Sequence, residues 1–246
     1  IGTRRFGSVN WVGTWTLYKK EVLRFLNVWI QTIFSPLVSA LLFLLVLSLA
    51  IGTDKESVLG VPFINFLAPG LVAMQVIQQS FSHSASSFMI GKIQGNIVDI
   101  LYAPLSAAEV IFAVTLAAVT RSIMIAFISI CIFSLIIDFE IKNYFTLIIF
   151  TFLSSFILGA LGIIAGLWAE KFDHMATVTN FIIIPLSFLS GTFYTIDKLP
   201  SYLAIMGKAN PFFYMIDGFR YSFIGQSDGS LTIGYIYLTS LSFIIW

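Results

Sequence analysis

Charge is what this chain has least of: Asp, Glu, Lys and Arg together supply 10% of its 246 residues. A soluble domain carries about 25%, so the polar side chains are too few to cover a globule with hydrated surface. A single cysteine, Cys131, excludes an internal disulfide and a cysteine-built metal cluster. No H-E-x-x-H and no clustered His/Cys/Asp set points to a metal. No G-x-x-x-x-G-K-[ST] occurs, so the chain cannot cradle ATP phosphates by that device. Any ATP it depends on must be handled by another polypeptide. Lys/Arg clusters of the kind that favour nucleic acid are missing too, and the net charge is only +1.

What is abundant is apolar length. Hydrophobic residues make up 58% of the chain and mean hydropathy is +0.96, which predicts an integral membrane protein. Crossing about 30 Å of hydrocarbon takes roughly 20 mostly apolar residues in a helix. Five stretches meet that: about 29–52, 63–90, 107–137, 145–168 and 176–196. A sixth runs over 231–246 and rises only about 24 Å, so its crossing is expected to finish beyond Trp246. The fold class expected is therefore all-α: one polytopic domain over 1–246 with six transmembrane helices and both termini on one side.

That side would hold Arg4, Arg5, Lys19, Lys20, Arg24, Lys92 and Lys171, against Lys55, Lys142, Lys198, Lys208 and Arg220 opposite. The bias is sharpest next to the first span and places the N-terminus in the cytoplasm. Residues 10–28, which open "NWVGTWTLYKKEVLRFLN", predict an amphipathic helix. Trp11, Trp15, Tyr18, Val22, Phe25 and, just beyond, Trp29 would line one face, with Lys20, Arg24 and Asn27 opposite, an arrangement that rests in the headgroup layer.

Between the second and third spans lies "IGKIQGNIVDILYAPLSAAEV", Ile90–Val110. Ile93, Ile97, Ile100 and Leu101 recur at helical spacing, with Gln94, Asn96 and Asp99 on the other faces. A plain connector does not need such a stripe; a docking element does. The segment 197–230 is too polar to span and too apolar for an ordinary loop. "NPFFYMIDGFRYSFIG" (Asn210–Gly225) mixes aromatics with Asp217 and Arg220 and predicts two short helices re-entering the outer membrane surface, where irregular backbone survives only if buried in protein or lining a cavity. Asn210, Pro211, Tyr214, Asp217, Gly218 and Arg220 are its candidate outer-gate residues.

Other features read more plainly. His83 among Ser80, Ser82, Ser84, Ser86 and Ser87 has no orienting carboxylate in its own span, and small polar residues let membrane helices approach closely. Gly162 and Gly166 form a G-x-x-x-G pair that permits close contact within the subunit or with another copy. Pro36, Pro69 and Pro185 each remove a backbone donor and favour a kink. Arg121, the one strong charge inside a span, is expected to snorkel to the inner interface or to pair with Glu170 or Asp99.

Taken together, "EVLRFLNVWIQTIFSP" (21–36), "FLAPGLVAM" (66–74), "NIVDILYAPLS" (96–106), "FD" (172–173) with "PLSFLSGTFYTIDKLP" (185–200), and "NPFFYMIDGFRYSFIG" (210–225) resemble the permease subunit of type 2 ATP-binding cassette exporters. The resemblance implies a non-enzymatic subunit of the bacterial inner membrane that pairs with a second permease copy, as a homodimer, and with two ATPase subunits. This chain would bind no cofactor; the partner ATPase would use ATP-Mg. The resemblance also implies a cytoplasmic coupling helix at about Ile93 to Leu105, with Ile93, Gln94, Asn96, Ile97, Asp99, Ile100, Leu101 and Pro104 docking on the ATPase, and short re-entrant helices before the last span. Amphipathic or lipid-linked cargo would leave the cytoplasm or inner leaflet by alternating access. The competing readings are a secondary transporter or channel acting without an ATPase, and a membrane enzyme built on His83 or His174.

Overall fold

The computed structural model describes residues 9–51, 58–137 and 140–245. Arg4, Arg5 and Lys55 of the charge asymmetry lie outside these residues, as does Trp246. Among the described residues there is no β-strand; the chain is a succession of helices.

Helix α1 (Trp11–Leu26) begins at Asn10, whose side-chain oxygen accepts from the Gly13 N–H at 3.0 Å. That bond satisfies one of the donors every helix start leaves open. Its buried stripe is Thr14, Leu17, Glu21 and Phe25, at steps of three and four. Phe25 departs from the expected aromatic face by joining this buried stripe, while Trp11, Trp15 and Trp29 stand exposed. Trp29 also falls beyond the helix end.

A π turn (Ile30–Phe34) leads into α2 (Ser35–Ile51). The same device recurs later: α7 (Phe172–Val178), a π turn (Thr179–Ile183) and α8 (Ile184–Leu189) form one continuous rod. In both cases a proline, Pro36 or Pro185, sits just after the widened turn. Proline has no N–H to donate and its ring collides with the carbonyl four residues back, and the wider turn makes room for it.

The centre of the bundle is α3 (Phe63–Ile93), 31 residues packed against α5 (Ala107–Phe133), α6 (Tyr144–Trp168) and α10 (Pro211–Ile224). At 1.5 Å per residue it is about 46 Å long. Among the described residues, four helices are both long and apolar enough to cross a membrane: Ile30–Leu49, Ala107–Phe133, Tyr144–Trp168 and Phe172–Leu189. α3 is not among them because Gln75, Gln78, Gln79, His83 and five serines dilute its hydropathy. Its neighbours screen much of that row from lipid, and polar side chains in such a helix face protein or cavity. α11 (Leu231–Ile245) is apolar but 15 residues long.

The fifth apolar stretch needs correction. The helix occupies Phe172–Leu189, not 176–196. Gly191, at φ +73°, reverses the chain, a conformation that only glycine adopts freely. The following residues fold back under the bundle, with the Thr192 hydroxyl donating to the Ser187 carbonyl at 2.9 Å. A 3₁₀ turn (Ile196–Lys198), α9 (Ser201–Ala209) and α10 complete the segment, so two short helices do lie between the last two apolar rods.

The G-x-x-x-G pair serves packing inside the subunit. A Cβ on Gly162 would overlap the Phe81 carbonyl oxygen, and one on Gly166 would come within 2.7 Å of the Ala85 carbonyl oxygen. α3 and α6 therefore touch backbone to backbone.

Candidate functional site

The half-polar connector between α3 and α5 folds as a short helix, α4 (Ile97–Tyr102). It is smaller than the 93–105 element expected. Ile93 is the last residue of α3, Gln94 caps it, and Gly95 at φ +75° breaks the direction. The stripe 93, 97, 100, 101 is therefore divided between two helices. At the far end Ala103 is extended, as a residue before proline prefers to be, and Pro104 ends the helix.

α4 has an inner and an outer side. Ile97 and Leu105 pack on a small cluster of Leu17, Phe88, Ala113, Val114 and Ile163, which seats α4 on α1, α3, α5 and α6 together. Outward point Val98, Leu101 at 76% exposed and Tyr102 at 86%. Gln94, Asn96, Asp99 and Pro104 are exposed around them, Ile93 is exposed too, and Ile100 is half-buried. The outer side is an apolar knob with a polar rim, the composition of an interface anchor.

A joint that the expectations missed lies beside it. Ser106 and Glu109 form a capping box on α5: the Ser106 N–H donates to Glu109 Oε2 at 2.6 Å, and Ser106 Oγ accepts from the Glu109 N–H. The other carboxylate oxygen, Oε1, accepts the Asn10 N–H at 2.5 Å, and Asn10 Nδ2 donates to the Pro104 carbonyl at 3.2 Å. One buried carboxylate thus clips the start of α1 to the start of α5 and to the strap leaving α4. The S-A-A-E spacing at Ser106–Glu109 was the available signal. Lys92 adds a tie across the same end, its Nζ donating to the Ala169 carbonyl at 3.0 Å and to the Leu167 carbonyl. A cation there meets the open carbonyls of a helix C-terminus.

At the opposite end of α3, the six candidate gate residues form a tightly built corner. Asn210 caps α10 by accepting from the Phe212 N–H at 3.1 Å, and its Nδ2 donates to the Leu186 carbonyl and to Ser190 Oγ, both at 2.9 Å. Pro211 fills the first helical position, where its missing N–H costs nothing. Asp217 and Arg220 do not pair with each other. Asp217 accepts the backbone N–H groups of Asp228 at 2.8 Å and Gly229 at 3.0 Å. Arg220, 1% exposed, donates Nη2 to the carbonyls of Gly191 at 2.8 Å and Thr192 at 3.2 Å. Its guanidinium lies 3.9 Å from the centroid of the Phe66 ring, a cation–π contact. Each charged side chain pins a different turn. Burial pushes the Asp217 carboxyl above its usual range, against the opposing pull of the two N–H donors and Arg220. Asp228 is likewise raised, chiefly by burial. Gly218 lets α10 lie directly on Phe150, whose ring a Cβ would overlap, and Tyr214 packs its ring 5.3 Å from that of Tyr237.

Arg121 does not snorkel, and neither Glu170 nor Asp99 is its partner. It is 6% exposed, and its Nη2 donates to Gln79 Oε1 and to the Thr32 carbonyl. His83 is fully buried beside Glu21, which α1 supplies from outside the span, with Nε2 3.8 Å from the carboxylate. Arg24 holds the same carboxylate at 2.9 Å and donates to the His83 carbonyl at 3.1 Å. The neighbouring serines go elsewhere: Ser80 Oγ lies 2.6 Å from Ser122 Oγ, and Ser86 Oγ donates to the His83 carbonyl. No serine hydroxyl among the described residues meets the His83 ring nitrogens.

Comparison with known proteins bears on this arrangement as a whole. The model of the ABC-2 type transporter family matches residues 12–224, from α1 through α10. The chain belongs to that family. It is similar to the inner membrane transport permease YadH of Escherichia coli strain K12, at 28% identity over 240 residues, covering 96% of this chain and 94% of that protein. It is also similar to nodulation protein J of Rhizobium leguminosarum, at 22% identity in biovar viciae (92% of this chain, 86% of the relative) and 23% in biovar trifolii (89% and 83%). As an ABC-2 chain it is a permease-type membrane subunit of an ABC transporter. Its α4 knob and its α9–α10 corner both fall inside the matched region.

Proposed function

We propose that this permease is the membrane half of an ATP-driven exporter, seated in the bacterial inner membrane with its N-terminus in the cytoplasm. In this reading α3 and α11 complete six crossings. A separate ATPase subunit binds ATP-Mg and closes on it, and a second permease copy lines the pathway. An amphipathic or lipid-linked cargo leaves the cytoplasm or inner leaflet by alternating access. The observation that carries the reading is the α4 knob: exposed apolar side chains on a short helix whose other side is bolted to α1, α3, α5 and α6. A push on Leu101 and Tyr102 moves Ile97 and Leu105, and with them the ends of those four helices. The Glu109 clip passes the same displacement to the start of α1. Nucleotide shifts the equilibrium because the ATPase contacts differ between its open and closed forms.

The α9–α10 corner is the outer lid. It stands on the side of α3 away from α4, and its pins to the chain after α8 (Asn210 to Leu186 and Ser190, Arg220 to Gly191 and Thr192) make α8 and α10 move together. A secondary transporter acting alone gains some support from the buried Glu21–His83–Arg24 group, but family membership and the outward knob favour an external engine.

Sidedness tests the reading. In a Cys131→Ser background, Leu101→Cys and Lys208→Cys are treated with a membrane-impermeant maleimide. The reading expects position 101 to react in inside-out vesicles only and position 208 in intact spheroplasts only. Reaction of position 101 from the outside contradicts it.

A further inference from the structure

A polar cavity of about 500 Å³ lies between α1, the Ile30–Phe34 turn, α2, α3 and α5. It occupies the half of α3 nearer α4. Arg24, Arg121, Gln31, Gln75, Gln78 and Gln79 face it, with serine and threonine hydroxyls between them. Bulk water takes roughly 30 Å³ per molecule, so this is space for a sizeable chemical group rather than for one bridging water. Unpaired polar groups at membrane depth are costly. Yet the buried Arg121 Nε–H finds no acceptor among the described residues.

Charge says what kind of group completes the site. Glu21 balances Arg24 at 2.9 Å. None of the described carboxylates pairs with Arg121, so two guanidiniums against one carboxylate leave one positive charge at the cavity wall. A planar guanidinium with a free N–H and neighbouring amide donors matches a tetrahedral oxyanion, whose oxygens accept several hydrogen bonds at once.

Shape says what is attached to that anion. A second groove, of about 380 Å³, shares Val28, Gln31 and Ser35 with the polar cavity and is otherwise formed mainly by Trp29, Ile30 and Phe34. All three of those apolar side chains are exposed. A charged polar chamber opening beside an apolar groove is complementary to an amphiphile, not to a free ion.

We propose that this cavity binds the phosphate headgroup of an anionic amphiphile, with Arg121 as its charge partner and the Trp29–Phe34 groove taking the start of its tail. That the bound molecule belongs to the transported class rests on the export reading above; the binding itself does not.

The test uses the purified full chain in detergent, without nucleotide or ATPase, so its failure and a failure of coupling are separable. Dihexanoyl phosphatidate is titrated against dihexanoylglycerol, which differs by the phosphate alone, and against inorganic phosphate. The proposal expects phosphatidate to bind at least about 10-fold more tightly than either. Arg121→Gln should remove most of that preference. Gln78→Met, which keeps volume and loses the amide, should weaken phosphatidate about 3-fold or more, and it serves where the arginine variant does not fold. Equal affinity for phosphatidate and dihexanoylglycerol overturns the proposal, as does an unchanged preference in Gln78→Met together with a folded Arg121→Gln. Inorganic phosphate binding as tightly as phosphatidate overturns the lipid assignment and leaves a free-anion site.

Discussion

Replacing Leu101 by aspartate is expected to abolish co-purification of the ATPase subunit while leaving the permease inserted, folded and at normal abundance. The leucine is largely exposed on the outer side of α4, so the change opens no cavity and buries no charge in the free subunit. At an interface centre, an apolar anchor is typically worth about 2–4 kcal/mol, a 30- to 1000-fold loss of affinity when removed. A buried unpaired carboxylate adds to that. Ile97 makes an instructive contrast. It sits in the small cluster with Leu17 and Phe88, so Ile97→Asp should disturb the seating of α4 itself, and lower abundance together with association. Loss of association at Leu101 with stability unchanged, and joint loss at Ile97, is the pattern expected in a pull-down run alongside a thermal melt. Normal co-purification of the Leu101→Asp permease contradicts a docking role for α4.

Gly162→Val is expected to be strongly destabilising. Valine gains a few tenths of a kcal/mol in helix propensity over glycine. Against that, its Cβ meets the Phe81 carbonyl oxygen, backbone that cannot rotate away, while Ser84 Cβ stands at 3.1 Å and Ala85 N at 3.2 Å. Overpacking of this kind costs about 1–3 kcal/mol and sometimes more, so the loss wins clearly. α3 and α6 must separate, and with them the bundle centre. Gly95→Ala provides the control: nothing lies within 4 Å of its Cβ, so the cost is limited to the left-handed backbone, about 1–2 kcal/mol. The expected readout is a melting midpoint several degrees lower and much reduced abundance for Gly162→Val, with Gly95→Ala in between. Equal stability of Gly162→Val and the parent means that α3 and α6 are not packed as described.

The long helices were legible because lipid imposes a length and a composition on anything that crosses it. α5 and α6 lie almost where hydropathy put them, and the pair of short helices before α11 could be read from Pro200, Pro211 and the mixed aromatic stretch. What composition cannot show is which neighbour a side chain meets. A helix longer than the hydrocarbon lets Arg121 reach the interface; in the structure Gln79 and Thr32 hold it instead, from α3 and the π turn. His83 had no carboxylate within its own span, and the fold supplied Glu21 from another helix. The α4 stripe is shorter than its spacing suggests, because the period continues through Gly95 in sequence while the backbone turns there. Asp217 and Arg220 stand three apart in sequence, yet Arg220 is drawn to the Gly191–Thr192 turn after α8 and Asp217 to the Asp228–Gly229 turn after α10. The clip at Glu109 is the reverse case. Its capping box was local enough to read; its reach to Asn10, 99 positions away in the chain, was not.

The central claim is that this permease has no engine of its own and receives force through α4. The most direct measurement places a photo-reactive benzophenone side chain at Leu101, irradiates native membranes containing permease and ATPase together, and asks which molecule is captured. The account predicts a covalent adduct with the ATPase subunit whose yield changes between nucleotide-free and ATP-trapped membranes. An adduct with lipid alone, in membranes where the two proteins otherwise co-purify, contradicts it.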